Sequence, residues 1–204
     1  MFLETVKIVN GELVNFDLHL MRMAKTLNYH YSAFYTATLL KNLSIAAQQI
    51  AVSQCSEAIV FKMRIVYTCN DYSISADPYF AKSVQSLKIV HNDAIDYSFK
   101  YEDRSRLTSL LQLRENCDDI LICKNGFITD TSFSNIVFKK YGSYFTPSHF
   151  LLNGIKRMQL VSNGFIKEKE ITLHNIKEYE SFNLINAMLD LNIYNEHNIN
   201  NIEL

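Results

Sequence analysis

Short apolar runs broken by Asn-Gly pairs recur along the chain, and they read as strands closed by tight turns. Leu3-Glu4-Thr5-Val6-Lys7-Ile8-Val9 is a strand. The Asn10-Gly11 pair that follows is a hairpin signal, because both residues tolerate positive φ. Asp17 is placed to cap a helix in which Leu18, Met21 and either Lys25 or Leu27 fall near helical spacing. A second helix is expected from Tyr35 to about Val52, with Leu39, Leu43 and Ala46 on its apolar side. Ala58 to Thr68 and Tyr72 to Ala76 read as paired strands around Cys69-Asn70-Asp71.

Asp77-Pro78 interrupts the pattern, and a domain boundary is expected ten to twenty residues beyond it. That divides the chain into a small lobe, 1–90, and a larger lobe, 91–204. In the second, Ser105 to Leu113 suits a helix, and Asp119 to Lys124 a strand. Asn125-Gly126 is another hairpin turn, with Phe127 to Thr131 as its return strand. Asn135 to Lys140 is a further strand, and Gly154-Ile155 opens a helix to Ser162. Ile171 to Glu178 reads as a short helix or turn, Phe182 to Leu189 as a buried strand, and the Asn-rich tail as frayed.

Composition narrows the classes. With 204 residues, 48% hydrophobic, a sizeable core is affordable. The 20 basic and 21 acidic side chains leave a net charge of −1, which supplies no field for a polyanion and argues against nucleic acid as partner. No apolar run is long enough to cross a bilayer, and no secretory signal is visible, so no membrane role is expected. Cys55, Cys69, Cys117 and Cys123 are widely spaced, which fits reduced thiols of a cytoplasmic protein better than a metal site.

Single residues carry weak signals. Lys100 follows Tyr97-Ser98-Phe99, so it is either a snorkelling surface lysine or an amine desolvated for nucleophilic work. Asp130, among Thr129, Thr131 and Ser132, reads alone as a turn or capping residue. Asn153-Gly154-Ile155-Lys156-Arg157 opens a helix whose free N–H groups suit an anion.

Taken in order, the blocks say more. Lys100-Tyr-Glu-Asp-Arg104, Gly126-Phe-Ile-Thr-Asp130 with Asn135-Ile-Val-Phe, Tyr144-Phe-Thr146-Pro147 and Leu151-Leu-Asn-Gly154-Ile-Lys-Arg157 together resemble the class IV aminotransferases. Within that group the chain looks most like the 4-amino-4-deoxychorismate lyases. Leu3-Glu4-Thr5 and Leu18-His19-Leu20-Met21-Arg22-Met23 resemble the family's opening strand and its His-x-x-Arg-Leu helix.

The resemblance implies a mixed α/β fold of the D-amino-acid aminotransferase-like type (fold type IV), two lobes with pyridoxal 5′-phosphate in the cleft between them, and a homodimer acting on a small amino substrate. Lys100 matches the lysine that forms the internal aldimine, which requires an uncharged amine. Asp130 matches the acidic partner of the pyridine nitrogen, where the family normally has the longer Glu. Arg22 and the N–H groups of Ile155 and Lys156 match the phosphate contacts, and Asn186-Ala187 a second phosphate-contacting turn. Thr5 matches a threonine that relays a proton to the departing enolpyruvyl group. Arg104 either lines the cofactor, binds a substrate carboxylate or caps a helix.

Two departures stand out. The chain opens almost at the Glu4-Thr5 strand, without the family's leading strand and Asp-Arg-Gly turn, so a trimmed first lobe is expected. Asp103 replaces the usual Asn. The expected reaction is release of pyruvate and 4-aminobenzoate, on the way to folate. The alternatives are transamination of branched-chain or D-amino acids, and a degenerate cofactor binder without catalysis.

Overall fold

The computed structural model describes residues 1–31, 36–55, 59–194 and 196–203. Tyr35 and Ala58, expected to begin a helix and a strand, lie outside them. Contacts divide the chain into one unit of Met1–Ala81 with Phe99–Asp103, and a second of Lys82–Ser98 with Arg104–Leu204.

In the first unit, β1 (Phe2–Val9) turns through Asn10 and Gly11, both at positive φ (52° and 79°), into β2 (Glu12–Leu13). Two helices follow, α1 (Phe16–His30) and α2 (Thr36–Ser53), then the antiparallel pair β3 (Phe61–Tyr67) and β4 (Tyr72–Pro78). The sheet order is β2-β1-β3-β4. Burial alternates along β1: Phe2, Glu4, Val6 and Ile8 are buried, while Leu3, Thr5, Lys7 and Val9 are only partly so. The period of two therefore sends Glu4 into an apolar face and Thr5 to the other. That core joins Val6, Ile8, Met23, Leu27, Leu43, Ala47, Met63 and Ile65.

The helices depart from the sequence reading in detail. The N-cap of α1 is Asn15, in a left-handed conformation, and Asp17 sits in the first turn, where its charge favours the helix dipole. Met21 is 66% exposed. The buried stripe is Phe16, His19, Met23, Thr26 and Leu27, and its two polar members hide it from a hydrophobic pattern. In α2 the buried residues are Leu43, Ala47 and Ala51, with Ala46 only partly covered.

The second unit holds β5 (Leu87–His91), α3 (Ser105–Leu111), β6 (Asp119–Lys124), β7 (Phe127–Thr131), β8 (Asn135–Lys140), β9 (Ser143–Pro147), α4 (Ile155–Ser162), β10 (Lys167–Lys169), β11 (Ser181–Ile185), β12 (His197–Asn198) and β13 (Ile202–Glu203). They form a sheet of order β13-β5-β6-β7 and another of order β10-β9-β8-β11-β12. One core, with Leu87, Leu121, Ile128, Ile136, Phe138 and Phe182, takes residues from both sheets. Five strands of this unit went unread: β5, β9, β10, β12 and β13. Of these, β10 is Lys-Glu-Lys, wholly exposed, and offers no apolar signal.

Two further expectations are corrected. Because β5 pairs in parallel with β6, residues 82–90 belong to the second unit and not to a 1–90 lobe, while 99–103 return to the first. The tail is held: Ile199 and Ile202 are buried, β13 pairs with β5, and Lys177 Nζ donates to the carbonyls of Ile199 (3.3 Å) and Ile202 (2.8 Å).

Candidate active site

In the first unit the chemistry gathers around Glu4. Its carboxylate is wholly buried and accepts from His19 Nδ1 (2.6 Å), Arg22 Nε (2.8 Å) and Arg22 Nη2 (2.5 Å). His19 and Arg22 are one helical turn apart on α1, so both reach the same strand residue. Burial pushes the Glu4 carboxyl up, but the Arg22 guanidinium and the His19 hydrogen bond more than reverse this and hold it at about 2. Burial also lowers the His19 pKa, with the Arg22 and Lys100 charges adding to the effect against the bond to Glu4. A neutral His19 donates from Nδ1 and leaves Nε2 as a buried acceptor with no hydrogen-bond partner among the described residues.

Lys100 belongs to the same network by backbone placement. Segment 99–103 lies along the start of β1: Leu3 N donates to Lys100 O (2.8 Å), Glu102 N donates to Met1 O (3.2 Å), and Phe2 bridges to Tyr101. The aromatic residues either side of Lys100 fix it. Phe99 meets His30 at 4.6 Å and Tyr29 at 4.8 Å between ring centroids, and Tyr101 meets Phe2 at 5.5 Å. Each such pair is worth roughly 0.5–1.5 kcal/mol beyond its buried area. Half-buried Lys100 is therefore clamped beside the strand that carries Glu4. Thr5, on the opposite face of β1, is not brought into the Glu4–His19–Arg22 network; its cross-strand neighbour is Arg64.

In the second unit the expected residues gather around the start of α4. The ladder between β6 and β7 pairs Cys123 with Ile128 and Leu121 with Thr131, which leaves one extra residue in β7 at Thr129-Asp130. The bulge turns Asp130 inward. Asp130 Oδ2 accepts from Leu151 N (3.0 Å) and Leu152 N (2.9 Å), and Oδ1 from Asn135 Nδ2 (2.8 Å). Burial pushes its carboxyl up to about 6, against these donors and the Arg157 charge. Asn135 Nδ2 also donates to Leu152 O (2.9 Å).

The chain then enters α4 at Gly154, with no side chain capping the helix. The N–H groups of Ile155 and Lys156 thus stand at an uncapped N-terminus, suited to an anion. Lys156 is paired elsewhere: its Nζ meets Asp190 (2.5 Å) and Gln159 (2.9 Å). Asp190 follows the turn of Asn186-Ala187, so this ion pair ties the turn to the helix start. The strand expected to reach Leu189 ends at Ile185, because Asn186 Oδ1 accepts from the N–H groups of Met188 and Leu189 and folds the chain back. Arg104 Nη2 donates to Ser132 O (2.6 Å), two residues from Asp130.

Glu4, His19 and Asn135 were not singled out as site residues. A charged residue on the apolar face of β1, facing a His-x-x-Arg turn, was the available signal for the first two; Asn135 had none. In the second unit the uncapped α4 start is of a type that suits a phosphate, and in the first the half-buried Lys100 is of the residue type that an aldehyde cofactor requires.

The pattern of the amino-transferase class IV family, whose enzymes use pyridoxal phosphate, matches residues 1–192. A protein of Haemophilus influenzae without an assigned function is 34% identical over 185 residues, covering 91% of this chain and 96% of its own. The crystal structure of a candidate 4-amino-4-deoxychorismate lyase from Haemophilus somnus has 32% identity and a TM-score of 0.84, covering 93% of this chain and 97% of that one. A hypothetical aminotransferase from Mycobacterium tuberculosis, solved with pyridoxal phosphate bound, shares the fold at a TM-score of 0.74 and 12% identity, covering 98% of this chain and 80% of its own. With the family pattern itself spanning residues 1–192, nearly the whole of both units, the chain belongs to the amino-transferase class IV family.

Proposed function

We propose that the chain is a pyridoxal-phosphate-dependent 4-amino-4-deoxychorismate lyase that releases pyruvate and 4-aminobenzoate. The observation that carries the reading is the placement of Lys100, clamped beside the Glu4–His19–Arg22 network. The likeness to the Haemophilus somnus protein favours a lyase over a transaminase. Pyridoxal phosphate, when bound, supplies an electron sink for the carbon that bears the substrate amine.

Every other role falls to the chain. Lys100 Nζ holds the cofactor, and in turnover takes the proton from the amine-bearing carbon. Arg22, oriented by Glu4, and the Ile155 and Lys156 N–H groups hold the phosphate, with the Asn186-Ala187 turn as a further contact. The position that the family uses for the ring-nitrogen partner falls on Asp130. The Thr5 hydroxyl gives a proton to the departing enolpyruvyl group as the ether bond breaks, and Arg104 binds a substrate carboxylate. The enzyme is a cytoplasmic homodimer whose product feeds folate synthesis.

The test is to supply aminodeoxychorismate and follow 4-aminobenzoate and pyruvate together. Equal amounts of both, absent in Lys100→Ala, are expected. Turnover retained in Lys100→Ala sinks the reading. Amino transfer from glutamate or a branched-chain or D-amino acid, with no 4-aminobenzoate, replaces it with a transaminase.

A further inference from the structure

Asp130 stands where the family's ring-nitrogen partner would be, yet its hydrogen bonds lead into the loop before α4. Two successive backbone donors, Leu151 N and Leu152 N, converge on Oδ2, and Asn135 Nδ2 takes Oδ1. Oδ2 is thereby saturated and Oδ1 keeps one lone pair. Asn135 binds the same loop a second time through Leu152 O. It also lies so close to Gly154 that a Cβ there would collide with Asn135 Oδ1. Only glycine admits this approach. A buried carboxylate, a buried amide and a glycine thus pin residues 151–154 directly before the uncapped start of α4.

We propose that Asp130 and Asn135 form a latch that sets the phosphate-binding end of α4, so that Asp130 acts on the cofactor through the loop and not through the ring nitrogen. The proposal rests on the reading above that the chain holds pyridoxal phosphate. A side chain one methylene shorter than glutamate reaches less far outward and is spent on the backbone beneath it. Asp130 and Asn135 are positioning residues in this account. Their loss lets the Ile155 and Lys156 N–H groups swing from a common aim, which affects a phosphate and leaves the rest of the ligand untouched.

The discriminating measurement compares two ligands, pyridoxal 5′-phosphate and pyridoxal, titrated against wild type, Asp130→Asn and Asn135→Ala. The latch predicts that the wild type prefers the phosphorylated ligand and that each variant loses at least tenfold of that preference. Pyridoxal affinity should stay within about twofold, and the double variant should be no worse than either single one. Partial unfolding reduces the binding-competent fraction for both ligands alike, so the ratio is insensitive to it. If Asp130→Asn does not fold, Asn135→Ala carries the same comparison. Equal losses for both ligands in Asp130→Asn, or an unchanged ratio in Asn135→Ala, overturn the latch while leaving the lyase reading intact. A wild type that binds neither ligand sinks the lyase reading itself, and the latch with it.

Discussion

Glu4 and Asp130 are both buried carboxylates with three hydrogen bonds, and they titrate in opposite directions. Glu4 is held at about 2 and Asp130 rises to about 6. Burial acts upward on both. What differs is the partner: Glu4 faces the Arg22 guanidinium on both oxygens, whereas Asp130 faces two backbone amides and a side-chain amide. Neutral donors orient a buried anion without repaying its desolvation, and a cation repays it. The first arrangement suits a residue that holds an arginine in place, and the second a residue that holds backbone.

The largest effect expected from breaking this comparison is in Glu4→Gln. It leaves Arg22, only 12% exposed, without its anion, and loss of one partner of a buried pair costs roughly 3–5 kcal/mol. Urea unfolding at neutral pH measures it; a loss under ~1 kcal/mol would mean the pair is worth no more than a surface one. The pH dependence follows from the sign. A carboxyl depressed to about 2 in the folded state contributes stability fully present above its ordinary value of 4.5, and lost as pH falls through 2. Glu4→Gln should therefore lose the part of the acid limb that falls in this window.

Asp130→Asn should act more weakly and with the opposite slope. A carboxyl raised from 3.8 to about 6 is more protonated in the folded state, so wild-type stability falls as pH rises through this window, by ~3 kcal/mol. The asparagine variant has no such slope. It should be the less stable chain at pH 4 and gain on the wild type up to pH 7. Parallel stability curves for the two proteins across that range would remove the contrast between the two carboxylates.

The sequence reveals the parts of this arrangement that depend on local chemistry. Both Asn-Gly hairpins, the α4 start at Gly154 and the alternation of β1 follow from φ preference and period, and the structure has them where the pattern puts them. The aromatic neighbours of Lys100 left its role open and the ordered family blocks singled it out, while the ring partners of Phe99, Tyr29 and His30, lie some seventy residues away. What stayed hidden depends on long-range pairing. The bulge that turns Asp130 inward is a mismatch between two strands, visible in neither alone. The buried stripe of α1 includes His19 and Thr26, which a hydrophobic pattern counts as surface, so Met21 was read into it. The all-charged β10 and the short β5 gain their pairing from neighbours and not from their own composition.

The smallest expected effect concerns His19, and it decides whether Glu4 is held by one cation or two. If His19 were charged at neutral pH, its buried Nε2 would be a donor with no acceptor, an arrangement costing several kcal/mol on a group that already faces Arg22 and Lys100. The neutral form avoids this, since an unpaired lone pair costs less than a stranded N–H⁺. A two-dimensional 15N spectrum of the imidazole should therefore show a neutral ring protonated on Nδ1 at pH 7, and a midpoint below the usual 6.5. Stability should then rise only slightly with pH between 6.5 and 7.5, by ~0.4 kcal/mol, because there the unfolded chain's imidazole still binds protons and the folded one does not. A ring protonated on both nitrogens at pH 7 would mean that two cations share the Glu4 carboxylate. The contrast with Asp130 would then measure the number of charges in the shell and not the choice between charge and amide.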